Sequence, residues 1–195
     1  KRIGEKNMDF TMEERSLNII KDCMNSEETN PVSLFHELAA KDYVRIHGPE
    51  HHILDGACVM TAFFNAGGSV DLKNGLEKLM AEGLRMPGAT CGLWGVCGSV
   101  ASVGAALAII EGTGPLSQDK SFGLHMECTA NALTKMSKAG GPRCCKRHAF
   151  ISMKEGVDYL NKRFELSIPY DDIKCRYSVK NEQCIKERCP FYIGG

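Results

Sequence analysis

Several common signatures are missing from this sequence. It has no GxxxxGK[ST] phosphate loop, no GxGxxG turn after a strand, no HExxH and no CxxC, which argues against nucleotide-driven chemistry and thioredoxin-type exchange. It has no excess charge of either sign: 24 Lys+Arg stand against 24 Asp+Glu. With no net field to draw in a polyanion, nucleic acid is not expected as a partner. No stretch alternates apolar and polar residues as a half-buried strand would, and no internal repeat stands out. Residues 1–25 are charged and amphipathic, without the continuous apolar run of a secretory leader, so a reduced, cytoplasmic setting is expected. Long hydrophobic runs are scarce too. The uncharged stretch Cys91–Ile110 approaches the roughly 20 residues that a bilayer span needs. Half of it is Gly, Ala and Ser, it lacks basic or aromatic flanks, and it is expected to be a buried central helix rather than a membrane element.

What is present is helix, core and cysteine. A chain of 195 residues, 43% of them hydrophobic, can bury a real core without disulfides. Thr11 and Glu14 form a capping-box pair ahead of Leu17, Ile20 and Met24. Asn30 and Pro31 start a second helix, and Ile53, Ala57, Met60 and Phe64 mark the inner stripe of a third that ends at Gly67 and Gly68. Asp71 opens a fourth, broken at Pro87 and Gly88. Beyond the small-residue helix, Leu124, Cys128, Ala132 and Met136 define another, and a last helix is expected from Pro142 through Phe164. The expected fold is all-α: a compact single-domain helical bundle over residues 1–170, with residues 1–7 set apart, a buried small-residue central helix, and a cysteine-rich tail over 171–195 packed on the domain.

Ten cysteines in such a chain call for metal or thiol chemistry in a reduced compartment. Cys175, Cys184 and Cys189 form a C-x8-C-x4-C array followed by Pro190, as in many iron–sulfur ligand runs, and Cys144 or Cys145 can supply a further ligand. With Pro142 in the first helical turn, unpaired amides and the helix dipole would favour thiolate at Cys144 and Cys145, as would Arg143, Lys146 and Arg147. His148, four residues after Cys144, shares its face. Should the chain be a thiol enzyme, Cys144 or Cys145 is the expected nucleophile and His148 or His52 the base, with Cys145 and His148 the preferred catalytic pair. Cys91 and Cys97 bracket the start of the central helix, and His51, Asp55 and Cys58 share one helix face. Cys91, Cys97, His51 and His52 are the expected second, cofactor-binding set, with Asp55 orienting His51. Cys23 and Cys128 read as core residues.

The segments HHILDGACV, MPGATCGLWGVCGS, GGPRCCKRHAF and CIKERCPFY together resemble an uncharacterised cysteine-rich domain family of anaerobic bacteria and archaea. More distantly, the run from Gly67 through Cys91 to Cys144 and Cys145 is similar to the redox-active family named for its C, GCAxxG, C, C pattern. It departs there, with Val96-Cys97-Gly98 standing where GCA would be. The resemblance implies redox or metal-linked work in anaerobes and an electron-transfer, methyltransferase or radical-enzyme partner, but no substrate. The expected function is a metal-binding, iron–sulfur protein handling electrons or sulfur, with a [4Fe–4S] cluster preferred and zinc the alternative. A thiol-dependent transferase and a zinc-stapled interaction module are the competing classes.

Overall fold

In a computed structural model, residues 10–170 and 172–194 are described, so the expectation for residues 1–7 lies outside the described residues. The helices are α1 (Met12–Met24), α2 (Pro31–Leu38), α3 (His51–Asn65), α4 (Leu72–Arg85), α5 (Thr90–Leu93), α6 (Gly98–Glu111), α7 (Ser121–Ala139) and α8 (Cys145–Phe164). Among the described residues there is no strand, so the fold is all-α as the periodicity implies.

Local chemistry starts most of these helices. The Thr11 hydroxyl accepts from the Glu14 N–H at 3.1 Å while the Glu14 carboxylate accepts from the Thr11 N–H at 2.8 Å, a reciprocal cap that satisfies two otherwise unpaired donors. Asn30 and Asp71 accept from the first-turn amides of α2 and α4 in the same way.

Helix α3 is the axis of the bundle. Nearly every side chain from His51 to Phe63 is buried, so it is not the one-striped helix its periodicity suggests, and Phe64, expected inside, is exposed. It packs most extensively on α6, and their close approach needs Gly56, where an added Cβ would stand 2.3 Å from the Ser102 carbonyl oxygen. Ser102 Oγ accepts the Gly56 N–H at 2.9 Å and donates to the Ile53 carbonyl at 3.3 Å, which ties the two backbones together. Helices α1, α2, α4 and α8 also pack on α3, and α7 lies over α6 and α8.

Two expectations shift. The uncharged stretch is not one helix: α5 ends at Leu93 and α6 begins at Gly98, with Gly95 in a left-handed conformation (φ 69°) between them. Among the described residues no helix is long and apolar enough to cross a membrane. Helix α8 begins three residues after Pro142, with Cys144 as its N-cap in an extended conformation. The Arg147 guanidinium fills the preceding turn, Nη2 donating to the Gly140 and Pro142 carbonyls at 2.8 Å each.

The segment after α8 folds back over α2 and α8. Tyr177 stacks on His36 (centroids 5.5 Å apart) and meets Phe35 edge-on at 6.5 Å. A hydrogen bond from the Cys175 N–H to the Phe191 carbonyl (2.8 Å) closes the segment on itself.

Candidate functional site

The N-terminus of α8 divides the cysteines. Cys144 and Cys145 are neighbours in sequence but line different cavities, one facing the tail and the other facing α3, α5 and α6.

The tail cavity, about 10 Å³, is lined by Cys144, Cys175, Cys184 and Cys189 together with Arg147 and Asn181. Each sulfur has an amide directed at it. Cys144 Sγ accepts from the Arg147 N–H and from the Asn181 side-chain amide, both at 3.4 Å, and Cys184 Sγ from the Lys186 N–H at 3.4 Å. The amides of Tyr177 and Phe191 act likewise on Cys175 and Cys189. Burial nevertheless pushes the Cys175 and Cys189 thiols up, and the neighbouring sulfurs add to that. Arg147 Nε is buried there without a hydrogen-bond partner. Four sulfurs, amide donors and an unspent guanidinium N–H make surroundings suited to negative charge, the state in which thiolates bind metal.

The second group is larger and opens to solvent. A chamber of about 70 Å³ is walled by His51, His52, Cys91, Cys97, Cys145 and His148. Cys91, Cys97, Arg143 and His148 also line an outer groove of about 580 Å³ that runs along α7. Cys97 Sγ lies 3.1 Å from His148 Nδ1. Burial, followed by the Arg147 charge, holds His148 down to about 4, and burial pushes Cys97 up to about 12. The pair is therefore a neutral thiol and imidazole, not an ion pair. Gly98 lets the His52 ring pack against the start of α6, since an added Cβ would fall 2.0 Å from that ring. His52 Nδ1 faces the Met86 carbonyl at 3.3 Å, so it carries the hydrogen and Nε2 keeps its lone pair.

Behind the chamber lies a buried polar row. Lys146 Nζ is 3.1 Å from both the Arg45 carbonyl and His51 Nε2, and His51 Nδ1 is 3.2 Å from Asp55 Oδ1. Burial lowers Lys146 to about 8, and it sits over the Phe35 and Tyr177 rings. A donating ammonium on Nε2 assigns the hydrogen to His51 Nδ1, which donates to Asp55. Both His51 nitrogens are thereby engaged, so His51 orients the wall and His52 presents the free nitrogen. Cys58, on the same helix face as His51 and Asp55, is a free thiol hydrogen-bonded to Cys23 in the core, and burial pushes it far up.

A further row joins the two cysteine groups. The Cys145 N–H donates to His47 Nδ1 at 3.4 Å, His47 Nε2 to Asn181 Oδ1 at 2.9 Å, and Asn181 Nδ2 to Cys144 Sγ. His47, Asn181, Arg147 in its packing role and buried Lys146 were not singled out by sequence reasoning. No spacing marks them, because their partners are 37 to 134 residues away or on the opposite side of a turn. The thiolate expected at Cys145 is not what its surroundings favour: burial pushes it up to about 11, although the Gly48 amide acts in the opposite sense. His148, expected to serve Cys144 or Cys145, turns to Cys97. Cys128 is a buried core thiol as expected. Among the described residues, no three His, Cys, Asp or Glu side chains already stand in a metal-ligating arrangement, so binding would require the four tail sulfurs to draw inward.

In comparisons with known proteins, residues 19–192 match the model of a family of unknown function, DUF5714. No curated protein and no solved structure matches the chain.

Proposed function

The chain belongs to DUF5714, a family of unknown function, and we propose that it is a metal-binding protein of redox or sulfur-handling chemistry in which Cys144, Cys175, Cys184 and Cys189 hold the metal. The observation that carries this reading is the convergence of four sulfurs on one cavity, each met by an amide N–H. The donors fit the group: soft thiolates suit zinc, iron or an iron–sulfur centre, and the Arg147 guanidinium balances the charge. A cavity of about 10 Å³ is the size of roughly one water-sized sphere. It suits a single tetrahedral ion of iron or zinc better than the [4Fe–4S] cluster suggested by the spacing. The metal, when bound, supplies either electron transfer, if iron, or a rigid staple, if zinc. The residues around it join the tail to the start of α8 and so hold Cys145 and His148 in the chamber wall. Against a Cys145–His148 nucleophile pair stand the raised Cys145 thiol and the turn of His148 towards Cys97.

Purification without oxygen, followed by iron, acid-labile sulfide and zinc analysis, tests the reading. About one metal equivalent should be lost in Cys184→Ser while helicity by circular dichroism is kept. A wild-type chain that retains no metal at this site, or a Cys184→Ser chain that retains all of it, would remove the proposal.

A further inference from the structure

We infer that Cys91, Cys97 and His148 form a second transition-metal site, separate from the tail cysteines, with its remaining coordination position open to the groove along α7. These three side chains lie on the boundary between the inner chamber and the outer groove, where a bound ion would meet both protein ligands and small molecules from solvent. Two thiolates and one imidazole are a ligand set that zinc and iron accept when one position is kept for an external ligand. The 3.1 Å hydrogen bond between Cys97 Sγ and His148 Nδ1 already aims the two donors at each other. A tetrahedral ion would hold sulfur and nitrogen about 3.5 Å apart, so Cys97 and His148 need shift only a few tenths of an ångström, while Cys91, on the same wall but not yet in a ligating arrangement with them, must swing in to complete the set.

Two further observations favour a cation here. Thr90 Oγ1 lines the chamber, 2% exposed, with no hydrogen-bond partner. Asp55, fully buried behind the chamber, leaves Oδ2 unpaired, and its charge reaches Cys97, Cys145 and His148. Negative charge without a full complement of partners, beside two thiols, lowers the free energy of a bound cation. Binding releases the thiol protons of Cys91 and Cys97 to solvent and takes His148 as neutral imidazole, so no oxidant or reductant is involved. Arg143, on the wall shared by chamber and groove, favours an anion as the exchangeable ligand.

The site does not depend on the tail reading, and one titration separates them. The full chain, stripped of metal without oxygen, is titrated with Co(II) and followed by its visible and near-ultraviolet bands. Wild type should take up two equivalents. Cys184→Ser should keep one, whose visible bands move when azide is added. Cys97→Ser and His148→Gln should each keep only the other equivalent, with bands indifferent to azide. Cys91, only partly buried, offers a variant that spares the core, and Cys91→Ser should behave as Cys97→Ser does if the latter fails to fold. The inference is overturned if Cys184→Ser takes up no Co(II), if the second equivalent persists in the Cys91 and His148 variants, or if azide leaves its bands unmoved. Loss of only the azide-indifferent equivalent from wild type would instead sink the tail reading and leave this site intact.

Discussion

At the scale of single residues, two positions show what a side chain or its absence does. Gly98 has the His52 ring against its α-carbon, so Gly98→Ala must push that ring out of the chamber wall. Overpacking of this kind costs roughly 1–3 kcal/mol. Calorimetry should record a lower melting temperature for Gly98→Ala and none for Gly92→Ala, whose added methyl would meet nothing. Asn181 is the second position. Its amide reaches the Cys144 sulfur while its oxygen takes hydrogen bonds from His47 and the Gln183 N–H. Partners that orient a ligand from behind typically contribute about 10- to 100-fold in metal affinity, so Asn181→Ala should lose metal to a competing chelator at correspondingly lower chelator concentration. Neither partner was legible in the sequence: a glycine at the start of a small-residue helix and an asparagine in a polar tail have many ordinary explanations.

Among elements, the helices whose starts are written as local chemistry were the legible ones. Helix α1 depends on its Thr11–Glu14 cap, and Thr11→Ala should cost about 1 kcal/mol, measurable by urea unfolding with the slope unchanged. Helix α8 is the counterexample. Pro142 suggested a helix from that residue, yet Arg147 reaches back to the Gly140 and Pro142 carbonyls and holds them in a turn. The helix therefore starts at Cys145 with the Cys144 sulfur as its cap acceptor. A guanidinium reaching back five to seven residues overrode the proline signal. The same happened between α5 and α6, where an uncharged run that could have been one helix is divided so that Cys91 and Cys97 reach the same wall.

For the molecule as a whole, pH should act through histidines. Burial, with the charges of Arg176 and Lys146, holds His36 down to about 4 against an ordinary 6.5, and His148 is held to about 4 as well. A depressed imidazole contributes stability that is complete above the unfolded value. That contribution shrinks as pH falls from about 6.5 towards 4, because the unfolded chain takes up protons the native state refuses. The slope is at most about 1.4 kcal/mol per pH unit for each such group. Urea unfolding of the metal-stripped chain should therefore show stability falling across this window, and His36→Gln should flatten the fall. A stability flat from pH 6.5 to 4 would contradict the burial assigned to these rings.

The sequence by itself determined that this chain is helical, where most helices begin and end, and that it holds more cysteine than packing requires. Those are properties of caps, of periodicity and of composition, each decided within a few residues. Which cysteines meet was decided only by the tertiary structure. Cys144 is the extended N-cap of α8 and Cys145 its first helical residue, so the two, indistinguishable in the sequence, go to different cavities. Cys97 and His148, 51 residues apart, come within 3.1 Å because α6 and α8 pack side by side. Burial then settled the thiol chemistry: helix dipole and nearby basic residues favour a thiolate at Cys145, but the loss of water around a sulfur enclosed among α3, α6 and α8 outweighs them.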